Sequence, residues 1–190
     1  MYYFFSASLP SLSFGRDPGL SVADFDGLAA DQMPPEKLAE LKSGTLAVNR
    51  EPGSAAGLPR IYADYTRFEQ YLRTRIAERR AGRDEDHAVK LPDPELYFGE
   101  VDAALAPAAA APDPLEREKL IDRIRWRMLD DLEAGHEFDF DGLCVSRLRL
   151  AILNKYRGRS AERGRSSFNA AVDRITGTAA AGGEEHITST

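Results

Sequence analysis

The sequence predicts an all-α, multi-helix, bundle-like fold with an irregular aromatic segment at its N-terminal end. Apolar residues recur at every third or fourth position through most of the chain, the spacing of a helix that buries one face. Capping residues, Asp-Pro pairs and glycines punctuate these runs where helices would start and stop. Beyond residue 14 no sustained alternation of apolar and polar residues marks a strand, and no internal repeat is evident. Helices joined by short loops imply antiparallel neighbours, hence a bundle.

Residues 2–14 (YYFFSASLPSLSF) carry no charge; their periodicity fits neither helix nor strand, and Pro10 interrupts any strand. A stretch this apolar must be covered, by this chain or by another. Residues 15–19 (GRDPG) read as a turn. Ser21 then opens a short helix: its hydroxyl can accept from a free amide while Asp24 reaches back, a capping box with Asp in place of Glu. Val22, Phe25, Leu28 and Ala29 form its apolar stripe. Pro34-Pro35 opens the next helix, Leu38 and Leu41 share its face, and Gly44 ends it. Residues 49–57 (NREPGSAAG) read as a loop.

A longer helix follows Pro59, with Ile61, Tyr65, Phe68, Leu72 and Ile76 on one side. Arg79 and Arg80 fall in its last turn, where cations complement the helix dipole. Between Leu58 and Arg83 seven arginines face three acids, so its outer face is expected to be basic. Residues 83–90 form a charged loop, and Asp93-Pro94 signals another helix start, continued by Tyr97, Val101 and Leu105. The Ala/Pro stretch 103–114 (AALAPAAAAPDP) reads as a connector between two parts of one helical domain spanning 1–177. Asp113-Pro114 opens the strongest helix, 115–134, with Leu120, Ile121, Ile124, Met128, Leu129 and Leu132 inward and Gly135 as its stop. Asp139 can cap the next, 140–157, whose apolar members are Leu143, Cys144, Leu148, Ala151, Ile152 and Tyr156. A last helix over 160–176 would bury Phe168, Ala171, Val172 and Ile175, and the small, polar tail 178–190 is expected to be disordered.

The formal charge of -6 over 190 residues speaks against a general nucleic-acid binder. The single cysteine, Cys144, excludes an intramolecular disulfide or a cysteine-based zinc cluster, and its apolar neighbours suit a buried small hydrophobe. The N-terminal apolar run lacks the basic region and the length of a secretory signal. No run approaches the ~20 apolar residues that cross a bilayer. The expectation is a cytoplasmic protein that meets a membrane only through partners.

Chemistry is sparse. His136, Asp139 and Asp141 in the run GHEFDFD would ligate a divalent ion if they converged, but their spacing matches no known ligand motif. An interhelical turn that tucks Phe138 and Phe140 inward explains the same residues. The carboxylates at 84–86 beside His87 read as a solvated charge run. No glycine loop of phosphate-binding type and no nucleophile constellation is present, so neither enzyme activity nor a cofactor is expected. Charge is more informative. Residues 129–141 hold six acids and no Lys or Arg, and residues 145–165 hold seven bases and one acid. These patches can pair with each other or meet complementary faces on a partner. Trp126, among Arg123, Arg125 and Arg127, suits either helix packing or an interface anchor.

Two stretches together resemble a bacterial family, DUF2764. One is the opening YYFFSASLPSLSFG; the other joins WRMLDDL (126–132), HEFDFD (136–141) and LRLAILNKY (148–156). The family is typically encoded beside subunits of bacterial V/A-type ATPases. It is regarded as a counterpart of the helical central-stalk component, of C (or d) type, that sits on the rotor ring. The resemblance covers the first 15 residues or so and about 115–175, whereas the chain is shorter than that full component and its middle is interrupted. The resemblance therefore implies a non-catalytic component or assembly factor that contacts the membrane rotor ring and the central shaft. Tyr2, Tyr3, Phe4, Trp126, Arg147, Arg149 and Arg157 are the residues expected at such contacts. The alternative is a helical adaptor or nucleic-acid-associated protein that uses the basic face at 145–165.

Overall fold

Every regular element among the described residues is a helix, in agreement with the periodicity. The structure, a computed structural model, describes residues 2–48, 54–81 and 97–157. The chain divides into two compact units, Met1–Asn154 and Lys155–Thr190. All the described helices belong to the first; the described part of the second is a turn at 155–157. The expected loop at 83–90, the Asp93-Pro94 helix start, the helix at 160–176 and the tail at 178–190 lie outside the described residues.

The N-terminal segment departs from expectation at once, because α1 (Tyr3–Ser8) is helical. Six residues cannot sustain a helix alone. Here the Tyr2 carbonyl accepts from the Ser6 amide at 2.9 Å, and Phe5 is buried with its ring 5.7 Å from that of Phe25. Tertiary packing supplies what local periodicity lacks. In α2 (Val22–Ala30) both halves of the capping box form: Ser21 Oγ accepts from the Asp24 amide at 3.0 Å, and Asp24 Oδ2 accepts from the Ser21 amide at 3.1 Å. The short α3 (Pro35–Lys42) begins behind Pro34, as predicted.

The long α4 (Arg60–Ala81) buries Ile61, Tyr62, Tyr65, Phe68, Tyr71 and Leu72. Its arginines are less free than composition suggests, since Arg73 pairs with Glu69 and Arg75 with Asp102. The Ala/Pro stretch is a second departure: α5 (Gly99–Ala110) runs through Pro107, so most of the expected connector is helix. Proline removes one backbone donor, at a cost of about 3 kcal/mol in a helix interior. Alanine, the strongest helix former, surrounds it, and Val101, Leu105 and Ala108 are buried. In α6 (Pro114–Glu133) Asp113 accepts from the amides of Leu115 and Glu116, and Gly135 follows at φ +85°, a conformation that favours glycine. The last helix, α7 (Phe140–Asn154), stops short of the expected residue 157.

The core sits where α7 packs on α2, α3, α4 and α6. That central place explains a sequence pattern that a single stripe does not: Leu143, Cys144, Val145, Leu148, Leu150, Ile152 and Leu153 are all buried, around most of the helix. Each such aliphatic side chain contributes about 1.5–3 kcal/mol on burial. Between α4 and α6 lies a charged knot. Glu69, fully buried, accepts from Arg125 Nε at 2.8 Å and Nη2 at 2.6 Å and from Arg73 Nε at 2.7 Å. Arg125 also donates to Asp122 at 2.7 Å. Burial disfavours the Arg125 cation, but the Glu69 carboxylate outweighs it and holds its pKa above the ordinary arginine value. Beside the knot the Tyr65 hydroxyl is buried with no hydrogen-bond partner among the described residues.

Candidate docking surface at the aromatic end

The surface grows from α1 and the α6–α7 turn. Phe5 points inward, which turns its neighbours outward: Phe4 is 86% exposed and Tyr3 49%. The Tyr3 ring lies 4.8 Å from Phe138, itself 47% exposed, and 5.7 Å from Phe4. Tyr2 completes the row, its ring 6.1 Å from Phe140, over which Lys37 Nζ sits at 5.0 Å. The turn was expected to tuck both phenylalanines inward. Instead Phe138 stays out, since α1 supplies a ring for it to lean on while the neighbouring Glu137 is exposed. Grouped exposed aromatics of this kind mark an interaction surface more often than isolated ones do.

The polar half of the turn is built to hold its shape. Asp139 Oδ1 accepts from the Gly142 amide at 3.0 Å, the cap predicted for α7, and its Oδ2 accepts from the protonated His136 Nδ1 at 2.7 Å. Asp141 Oδ2 stands 3.8 Å from the same nitrogen. These carboxylates raise the His136 pKa above 6.5, the Asp139 hydrogen bond contributing most. Burial would raise the Asp139 carboxyl, but the hydrogen bonds from His136 and the Gly142 amide prevail and lower it below 3.8. Among the described residues no group of three His, Cys, Asp or Glu side chains is placed to hold a metal ion.

The remaining candidate contact residues are distributed elsewhere. Trp126 is buried, its ring 5.6 Å from Phe14 and 5.3 Å from the Arg149 guanidinium. Arg149 donates to Asp130 at 2.6 Å and to Glu133 at 2.7 Å, so at this one base the basic patch pairs with the acidic patch within the chain. Arg147 donates to both Asp26 carboxylate oxygens, at 2.8 and 3.1 Å, and to the Gly44 carbonyl at 2.6 Å. Arg157 is exposed. Of the sequence candidates, Tyr2, Tyr3 and Phe4 gather at the aromatic end, where Phe138 joins them unannounced, while Trp126 and Arg149 meet each other elsewhere, Trp126 being buried. The sequence signal of Phe138 was available: a phenylalanine between two acids in a turn has few apolar neighbours to hide among.

Cys144 is fully buried beside Tyr62, whose hydroxyl donates to the Leu41 carbonyl at 2.6 Å. Burial pushes the thiol up to about 12, against the pull of the Tyr62 hydrogen bond. No described helix is long and apolar enough to cross a membrane. A family model described as "Protein of unknown function (DUF2764)" matches residues 69–178. No curated protein and no solved structure matches the chain.

Proposed function

We propose that this chain, which belongs to the DUF2764 family and is helical in every regular element described, serves as a non-catalytic component or assembly factor of a bacterial V/A-type ATPase. It would act as a counterpart of the C-type (d-type) central-stalk component, lying between the shaft and the membrane rotor ring. The single observation that supports docking is the exposed Tyr3–Phe4–Phe138 cluster. An exposed phenylalanine that becomes buried in an interface contributes about 1.5–3 kcal/mol, enough to act as an anchor. The turn that displays Phe138 is fixed by its cap and by the His136–Asp139 contact, so little ordering entropy opposes binding. ATP hydrolysis and ion movement would belong to other parts of the assembly. The alternative, nucleic-acid contact through the basic face at 145–165, has less support because Arg147 and Arg149 are already held by Asp26, Asp130 and Glu133.

Affinity purification of the tagged chain from native membranes tests the proposal. The ATPase's catalytic and rotor-ring proteins are expected to co-purify, and Phe4→Asp is expected to lower their recovery about tenfold with the helical circular dichroism intact. Absence of those proteins from the wild-type eluate overturns the assignment. Retention of them by Phe4→Asp overturns the surface.

A further inference from the structure

We propose that the cleft between the last turns of α4 and the α5–α6 pair binds a small amphiphilic carboxylate, with an apolar body of about eight carbons, through Arg79, Arg80 and Arg117. The cleft has a volume of about 210 Å³ and is lined by Ile76, Leu105, Ala108, Ala109 and Ile121 together with those three arginines. Composition leaves room there: Ala108 and Ala109 contribute only methyl groups to a lining whose other apolar members are Ile76, Leu105 and Ile121. A closed cavity of ~150 Å³ accommodates the six carbons of benzene, so this one takes about eight with the head at its mouth.

The charge is the decisive part. Other arginines packed between helices each meet a carboxylate: Arg73 and Arg125 meet Glu69, Arg75 meets Asp102, Arg147 meets Asp26, and Arg149 meets Asp130 and Glu133. Among the described residues no ion pair engages the three at the cleft. Arg79 Nη2 donates to the Asp102 carbonyl at 2.7 Å and Arg117 Nη2 to the Ala111 carbonyl at 2.9 Å. Those bonds fix the side chains yet use one of five N–H donors on each. Three positive charges beside an apolar lining, none of them matched by a carboxylate among the described residues, suit an anion with an apolar tail. Helix C-termini carry only about half a negative charge. Completing the α4 dipole accounts for Arg79 and Arg80, but it accounts neither for Arg117, in the first turns of α6, nor for the hollow itself.

Titration calorimetry of the full chain with sodium octanoate tests the site, with 1-octanol, inorganic phosphate and anionic phospholipid vesicles in parallel. The expected result is saturation at one octanoate per chain, with 1-octanol and phosphate each at least about tenfold weaker. The double variant Arg80→Gln/Arg117→Gln should weaken octanoate by at least about tenfold, and Ala109→Leu should do the same by filling the cleft without changing charge. Circular dichroism checks that both variants keep their helices, and the Ala109→Leu arm stands if the arginine variant fails to fold. Lack of saturation below about 10 mM, equal binding of 1-octanol or phosphate, unchanged binding by a folded variant, or preference for vesicles over free octanoate each overturns the proposal.

Discussion

Glu69 and Tyr65 lie one helical turn apart on α4, and opposite rules govern them. Removing the Glu69 carboxylate leaves Arg73 and Arg125 cationic and partly buried without their shared acceptor. Breaking one side of such a buried cluster costs about 3–5 kcal/mol. Glu69→Ala should therefore lower the urea midpoint sharply without altering the slope. The Tyr65 hydroxyl makes no hydrogen bond among the described residues, so its removal loses nothing that folding has gained. Tyr65→Phe is expected to be neutral or stabilising by up to about 1 kcal/mol in the same denaturation. At His136 the prediction is a direction in pH. Its folded pKa is raised, so its contribution is complete below 6.5 and disappears as pH climbs through the raised value. That of Asp139, lowered from 3.8, is complete above 3.8 and disappears as pH falls through the lower value. The turn is thus best held between about pH 4 and 6.5. An NMR titration of the imidazole protons should give a midpoint above 6.5, moved down toward it by Asp139→Asn.

At the scale of the element, what can be read ahead depends on how local the cause is. The capping box at Ser21, the Asp113 cap and the Gly135 stop each arise from neighbours within a few residues, and their helices lie where expected. The helix α1 has no such cause; it exists because Phe5 meets Phe25 and Tyr2 meets Phe140. In α5 a proline that reads as a break is carried by alanines and by packing on α4 and α6. The α6–α7 corner has its own requirement, which sequence patterns do not express. A Cβ on Gly142 would stand 1.9 Å from the His136 carbonyl oxygen, a backbone atom that side-chain rotation cannot move. Gly142→Ala should displace the corner and cost roughly 1–3 kcal/mol, seen as a lower melting temperature together with faster proteolysis between α6 and α7.

For the molecule as a whole, the bundle was legible because helical periodicity and caps agree along most of its length, whereas the candidate surface was legible only in part. Tyr2, Tyr3 and Phe4 could be picked out as an uncharged aromatic run, but which ring faces outward depends on where α1 lands. Charge segregation had three outcomes in sequence, internal pairing, a complementary partner face or nucleic acid, and the approach of α7 to α6 and α2 pairs Arg149 and Arg147 within the chain. The central position of α7 also has a practical consequence through Cys144, the one thiol in 190 residues. Fully buried on α7 beside Tyr62 of α4 and held almost wholly in its neutral form, it is closed to alkylating reagents while the bundle stays shut. Labelling then proceeds only through molecules that have opened, and its rate at low reagent follows their equilibrium share. The protein thus carries its own gauge of openness: a mass shift of one adduct, followed over time in dilute lysate, would report the fraction of bundles that stand open without denaturant or an engineered label.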